Sequence, residues 1–475
     1  MSWTPQQELI FDAIENGTGD IFVNAGAGTG KTTTIVEAAN RANAPRMCFL
    51  AFNKSIATEL AERLPNDVEA KTFHALGFAA IRSNGVRTKV NNKKVWEIIE
   101  TLLGKDFYAQ PLVRLVGLVK GSMIEGTDRR SIVSLIDEYD IQFENGDEVK
   151  ALEAMPAILN MCRNQAYHID FDDMIWLPLV ENYVFPQFDM MFVDEAQDFN
   201  EMQRQLIKEC LAANGRVVVV GDPNQAIYGF RGADSNSMER FKEDLRARGR
   251  EISEFPLSVS WRCPQTVVKE ANRYVSDFTC PDSAIEGSVV ENASFNPQRG
   301  DIVLCRYNAP LVNAFYQMIL EGRSCYILGR DMTKGLINHV KKICRNERTT
   351  TPEFIALLEQ NTSMMLAKLR DAGKDNQANN LEDKVECIRI FASRTNTVGE
   401  IISEIKKVFD GNDSGDVMLS TVHKAKGLEA DNVYILATER MPHPKGGHEE
   451  NNICYVAITR AKQNLYFCGP RPGRN

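Results

Sequence analysis

The sequence predicts an α/β protein with two doubly wound parallel sheets, each interrupted by a mainly helical insertion. Three observations carry that reading. Short continuous apolar runs end in glycine or acidic residues and alternate with helix-period segments, as buried parallel strands do when helices cover both faces. The runs come in two sets. Between the runs of each set lies a region with helical periodicity and few strand-like runs.

The first set is DIFVNA (Asp20–Ala25), RMCFLAF (Arg46–Phe52), DMMFVDEA (Asp189–Ala196) and GRVVVVGD (Gly215–Asp222). The second is DIVLCRY (Asp301–Tyr307), CYILG (Cys325–Gly329), DVMLST (Asp416–Thr421), NVYILAT (Asn432–Thr438) and NLYFCG (Asn464–Gly469). Residues 86–180 and 334–413 form the helical insertions, with stretches such as VWEIIETLLG and EIISEIKKVF. The first α/β domain is therefore expected over residues 1–85 and 181–254. The second is expected over 255–333 and 414–475.

Bulk composition agrees with this size and class. A chain of 475 residues exceeds the ~250–300 at which single cores stop growing. Hydrophobic residues make up 43% and charged residues 25%, ordinary for a globular protein. The net charge of −9 gives no global basic field, so nucleic-acid binding would need a local groove. The 11 cysteines are scattered without a C-x-x-C pair, so reduced thiols in the cytoplasm are expected. MSWTPQQELI lacks a secretory signal, and no apolar run reaches the ~18–20 residues that span a bilayer. No membrane association is expected.

AGAGTGKT (Ala25–Thr32) stands between a strand and a helix, the context of a phosphate-binding loop. Gly26, Gly28 and Gly30 let backbone amides, with those of Ala27 and Thr29, turn toward phosphate oxygens. The following helix aims its positive end at the same anion. Lys31 is placed for the β- and γ-phosphates of ATP and Thr32 for Mg²⁺. Ala25 occupies the position of the usual first glycine. FVDEAQD (Phe192–Asp198) supplies the second half: Asp194 for Mg²⁺ and Glu195 as the base for the attacking water.

Further motifs occur in order: TPQQ (Thr4–Gln7), AFNKSIATEL (Ala51–Leu60), TFHALG (Thr72–Gly77), FDDMI (Phe171–Ile175) and VVGDPNQAIYGFRGA (Val219–Ala233). SWRCPQTVVKEAN (Ser260–Asn272), TVHKAKGLEADNVYI (Thr421–Ile435) and YVAITRAK (Tyr455–Lys462) complete the set. Together they closely resemble the UvrD/Rep-like superfamily 1 DNA helicases, from residue 4 to residue 462. The resemblance implies two RecA-like domains with ATP in the cleft between them. It implies adenine recognition by Gln7, γ-phosphate sensing by Gln225, arginine fingers at Arg262 and Arg460, and a ribose contact from Glu429. Trp261 stands where the family usually has tyrosine and keeps a flat face for the base. Thr33 replaces an arginine found beside the loop in some members.

For single-stranded DNA the resemblance implies Phe52, Asn53, Lys54, Thr72, Phe73, His74, Tyr228, Phe230 and Arg231 in the first domain. In the second it implies Arg306, Asn308, His423 and Lys424. Phe230 and Phe73 would stack on bases, and most of the others would hold phosphates or sugars. The AKGLE and TRA motifs resemble the 3′→5′ branch. Larger members carry a strand-separating hairpin soon after the segment matching YVAITRAK, where this sequence has a short strand. A monomeric 3′→5′ motor of limited processivity on single strands and single-strand/duplex junctions is therefore expected, with room for a protein partner that adds processivity. Three readings stay open: a translocase that displaces bound proteins without processive unwinding, a nucleotide-dependent binding module, and an RNA motor. Intact Lys31, Asp194, Glu195, Gln225, Arg262 and Arg460 argue against the second.

Overall fold

The structure is a computed structural model that describes residues 3–51, 53–139, 141, 143, 146–229, 236–371, 373–409, 415–443 and 447–473. It comprises two units, Met1–Ser258 and Val259–Asn475. Each unit is built on its own six-stranded sheet, and every pairing in these sheets is parallel.

Unit 1 begins with α1 (Pro5–Asn16), β1 (Asp20–Ala25), α2 (Lys31–Arg41), β2 (Met47–Ala51), α3 (Lys54–Ala61), β3 (Val68–Thr72) and α4 (Phe73–Ser83). A helical layer follows: β4 (Lys89–Val90), α5 (Lys94–Leu103), α6 (Ala109–Gly121), α7 (Arg129–Glu138), α8 (Asp147–Asn164), β5 (His168–Ile169) and α9 (Asp173–Val180). The unit closes with β6 (Phe188–Val193), α10 (Glu201–Cys210), β7 (Leu211–Gly221), α11 (Ser237–Ala247) and β8 (Ile252–Leu257). The strand order is β3-β2-β6-β7-β1-β8.

Strand alternation shows why the apolar runs are continuous. Phe22, Leu50, Met191, Val193 and Val219 face the core shared with α4–α9. Their neighbours Ile21, Val23, Phe49, Phe192, Val218 and Val220 face the opposite core under α1 and α2. A strand buried on both faces has no polar positions to alternate with. The helical layer therefore shares one core with the sheet.

Unit 2 runs through α12 (Gln265–Ala271), β9 (Ser288–Val290), β10 (Ile302–Cys305), α13 (Ala309–Leu320), β11 (Cys325–Leu328), and four consecutive helices. These are α14 (Arg330–Ile343), α15 (Thr351–Asp371), α16 (Asp375–Ala392) and α17 (Val398–Phe409). Then come β12 (Val417–Thr421), β13 (Ala430–Leu436), α18 (Gly447–Ile458) and β14 (Ala461–Phe467), in the order β11-β12-β10-β13-β14-β9. The four helices pack on the strands through a single core that includes Val303, Leu419, Phe354, Ile388 and Ile405.

One boundary needs correction. A division at 254/255 would cut β8, which pairs with β1 from Asp20↔Ile252 to Ala25↔Leu257. The EISEFPL segment is an exposed-edge strand of the first sheet, and its polar residues hid it from a search for apolar runs. Among the described residues no helix is long and apolar enough to cross a membrane. The cysteines are free thiols.

Candidate functional site

Three adjacent strands of unit 1, β6, β7 and β1, deliver their following loops to the carboxyl edge of the sheet. After β1, the backbone turns through Gly28 (φ 68°) and Gly30 (φ 82°) into α2. Gly30 is the left-handed N-cap of that helix, a conformation that a side chain resists. The loop is pinned by Gly26 N donating to Leu257 O at 2.9 Å and Thr29 Oγ1 donating to Gly26 O at 3.0 Å. Its amides and the N-terminus of α2 have the geometry of an anion cradle.

After β6, Asp194 is buried, and Thr32 Oγ1 donates to its Oδ2 at 3.2 Å. Burial and the adjacent Glu195 push the Asp194 carboxyl up to about 6, with Lys31 opposing the shift. A buried carboxylate of this kind, joined to a hydroxyl at the mouth of a phosphate cradle, suits a divalent cation. Glu195 itself has φ 56°, left-handed for a residue with a side chain. Such strain persists where the surroundings enforce it, and here Gln197 does so. Its Nε2 donates to Glu195 Oε2 at 2.5 Å, while its Oε1 accepts from Asp222 N at 2.9 Å.

After β7, Asp222 Oδ2 accepts from Gln225 Nε2 at 2.7 Å, which orients the Gln225 amide. Burial raises the Asp222 carboxyl, and Lys31 counters this as well. Gln197 thus ties the β6 loop to the β7 loop. Gly221 makes room for it: a Cβ there would lie 2.7 Å from Gln197 Oε1 and 2.6 Å from Met238 Sδ.

The neighbouring strands β2 and β3 end in register, Ala51↔Thr72, at the same edge. Asn53 caps α3 by accepting from Ile56 N, and Thr72 caps α4 by accepting from Ala75 N. Lys54 is exposed at the start of α3. His74 sits with its ring 5.7 Å from Phe171, edge to face, and desolvation lowers its pKa. Tyr228 is partly exposed. The assignments of Phe52, Phe230 and Arg231 lie outside the described residues.

In unit 2 the expected nucleotide residues gather at the amino edge of the sheet. Glu429 and Arg460 immediately precede the paired residues Ala430 and Ala461 of β13 and β14. Arg262 Nε lies 2.5 Å from Glu429 Oε2. Arg460 donates to Val456 O at 2.9 Å and Leu428 O at 3.2 Å. Trp261, next to Arg262, is 60% exposed.

Residues 3–246 match the UvrD/REP helicase N-terminal domain, and residues 333–469 match the UvrD-like helicase C-terminal domain. The chain belongs to the UvrD/Rep helicase family. It is 25% identical over 519 residues to F-box DNA helicase protein 1 of Schizosaccharomyces pombe, covering 97% of this chain and 57% of that protein. It is 25% identical over 505 residues to F-box DNA helicase 1 of Gallus gallus, covering 97% of this chain and 48% of that one. To Gabija protein GajB of Bacillus cereus it is 22% identical over 499 residues, covering 95% of this chain and 93% of the relative. The chain thus spans about half the length of the F-box helicases it matches.

Against the expectations for a UvrD/Rep member, one residue is placed otherwise and three have partners within their own unit. Phe73 is 1% exposed and packs edge to face on Phe199 at 5.0 Å. It opens the buried stripe Phe73, Leu76, Gly77, Ala80, Ile81 of α4, so it is core and no platform for a base. Gln7 closes a capping box with Thr4 and donates from Nε2 to Thr34 Oγ1 at 2.9 Å. These bonds fix the Gln7 side chain at the start of α1. Arg306 pairs with Glu450 at 2.8 Å. Asn308 Nδ2 donates to Asp383 Oδ2 at 2.8 Å, and Asp383 also accepts the backbone amides at the start of α13. Both side chains are engaged within unit 2. His423 and Lys424 follow β12 in a turn and are partly exposed.

Gln197 and Phe171 lie in UvrD/Rep motifs, and the sequence alone assigns neither a role. Gln197 lies inside FVDEAQD, where only the carboxylates drew chemistry. Phe171 opens FDDMI and is 53% exposed beside His74. An aromatic residue ahead of a polar pair was its only signal.

Proposed function

We propose that this chain is an ATP-driven motor that moves 3′→5′ along single-stranded DNA and separates duplex. The carrying observation is the carboxyl edge of the unit 1 sheet. The phosphate loop, Asp194, Glu195 and Gln225 follow β1, β6 and β7, and the candidate strand contacts follow β2 and β3 of the same sheet. A shift in one set is transmitted through a rigid parallel sheet to the other.

In this reading the loop amides and Lys31 hold the phosphates. Thr32 and Asp194 would hold Mg²⁺, which would supply positive charge to offset that of the phosphates. Glu195, aimed by Gln197, takes the proton of the attacking water. Water oxygen bonds to the γ-phosphorus as the bond to the β–γ bridging oxygen breaks, and ADP leaves with that electron pair. Arg262 and Arg460 of unit 2 act as arginine fingers on the charge that develops. Glu429 meets the ribose and Trp261 the base. Phe171, in place of Phe73, stacks on a base beside His74. Asn53, Lys54 and Thr72 hold the backbone at the ends of α3 and α4.

Support for DNA as the track comes from family membership and from relatives named DNA helicases. Support for 3′→5′ movement comes from the AKGLE and TRA motifs. The test compares strand separation on 3′-tailed and 5′-tailed duplexes and displacement of a protein block from a single strand. Separation that depends on a 3′ tail is expected. A preference for the 5′ tail overturns the direction, and block displacement without separation favours the pure translocase.

A further inference from the structure

Behind Phe171 lies a buried ionic cluster that the nucleotide chemistry does not use. Lys94 and Lys120 are 1% and 0% exposed. Lys94 Nζ donates to Asp173 Oδ2 at 2.7 Å and to Cys162 O at 2.6 Å. Lys120 Nζ donates to Asp173 Oδ1 at 2.8 Å and Asp170 Oδ2 at 3.0 Å. Asp173 N donates to Asp170 Oδ1 at 2.7 Å, closing the turn. Buried pairs of this kind add little net stability over apolar packing, and what they supply is a fixed geometry.

That geometry fixes a small exposed ribbon. β4 and β5 pair in parallel, Lys89↔His168 and Val90↔Ile169. A two-residue pairing does not hold by itself in water. Here β5 runs directly into Asp170 and the turn, and β4 runs through Asn91 into Lys94 at the start of α5. Asn91 N donates to Ile169 O at 2.8 Å, and Lys94 N to Asn91 O at 3.0 Å. The ribbon presents Lys89 and His168, both exposed and in register, and Tyr167, 60% exposed with its ring 4.9 Å from His168. Three residues beyond His168 comes Phe171. Exposed rings beside an exposed lysine, held on a rigid mount, are what an unpaired strand needs: π-faces for bases and a cation for phosphate.

We propose that Lys89, Tyr167 and His168 form an additional binding step for single-stranded nucleic acid, continuing the track past Phe171 and His74. The proposal rests on the strand track of the previous section. Unpaired bases are the occupant because stacked bases inside a duplex offer no free faces to these rings.

The test measures anisotropy of labelled oligothymidylates of ~6 and ~16 nucleotides, lengths chosen from site sizes of single-strand binders. Tyr167→Ala and His168→Ala, each checked for an unchanged thermal midpoint, are expected to weaken binding of the longer oligonucleotide by roughly 5- to 100-fold. The shorter one, which the Phe171 step accommodates, loses less than about twofold by the same reasoning. Lys89→Ala is expected to reduce the salt slope on the longer oligonucleotide by about 1. No loss on the longer oligonucleotide, or equal loss on both lengths, overturns the proposal. The motor reading fails separately, if the wild-type chain's ATP turnover ignores both oligonucleotides.

Discussion

In unit 1 the loops leaving β1, β6 and β7 hold the phosphate cradle, and those leaving β2 and β3 hold strand-binding candidates, all at the carboxyl edge of one sheet. In unit 2 the two sets separate. His423 and Lys424 follow β12 at the carboxyl edge, whereas Arg262, Glu429 and Arg460 cluster where β13 and β14 begin. The same six-stranded parallel scaffold is thus used in two ways. Unit 1 gathers both sets of candidates at one edge of its sheet. Unit 2 keeps its two sets a strand length apart, at opposite edges.

Breaking the arginine cluster should have the largest effect. Arg262→Ala is expected to lower ATP turnover by ~10³–10⁵ while nucleotide binding survives, as for arginine fingers generally. Turnover assays paired with nucleotide titration check this. Glu195→Gln removes the base on the unit 1 side and should lower turnover by ~10²–10⁴. Binding of both nucleotide and DNA should be retained, which equilibrium titration reads.

The two phenylalanines sharpen the comparison within unit 1. Phe171→Ala should weaken single-strand binding by ~1–3 kcal/mol at unchanged stability. Phe73→Ala should destabilise the unit by ~3–5 kcal/mol, as removal of a buried ring does. Denaturant melts and oligonucleotide anisotropy, run on both variants, separate the roles.

The smallest effect concerns Asp194. Its folded carboxyl titrates near 6, above the ~3.9 of an unfolded aspartate. The folded chain therefore prefers the proton, and ionisation above pH ~6 weakens the ligand-free fold. Asp194→Asn should raise the thermal midpoint at pH 7.5 without nucleotide. The gain should shrink between pH ~6 and ~4 and vanish below, where both side chains are neutral. Melts across that range check it.

The buried strands were legible because their apolar runs are uninterrupted: each of the nine runs named from the sequence overlaps a strand of the structure. The edge strands β3, β8 and β9 were not, since VEAKT, ISEFPL and SVV face solvent on one side and break the run. The phosphate loop was legible residue by residue because glycine spacing encodes its turn. Side-chain direction was the harder inference. The family resemblance implies a platform at Phe73, whereas its i, i+3, i+4, i+7 spacing marks it as core. At Gln7 the T-x-x-Q spacing also spells a capping box, which the structure forms. Lys94 and Lys120 gave no sequence sign of burial, because their carboxylate partner Asp173 lies 79 and 53 residues away.

We propose that the phosphate loop of unit 1 and the arginines of unit 2 act on one ATP, whose hydrolysis drives the chain along a strand. Steady-state ATP turnover, with and without a single-stranded oligonucleotide, on wild type and Arg262→Ala, tests it most directly. Strong stimulation of the wild type by the oligonucleotide, and near-loss of turnover in the variant with or without it, is the expected result. Turnover that ignores the oligonucleotide, or that survives the loss of Arg262, would contradict it.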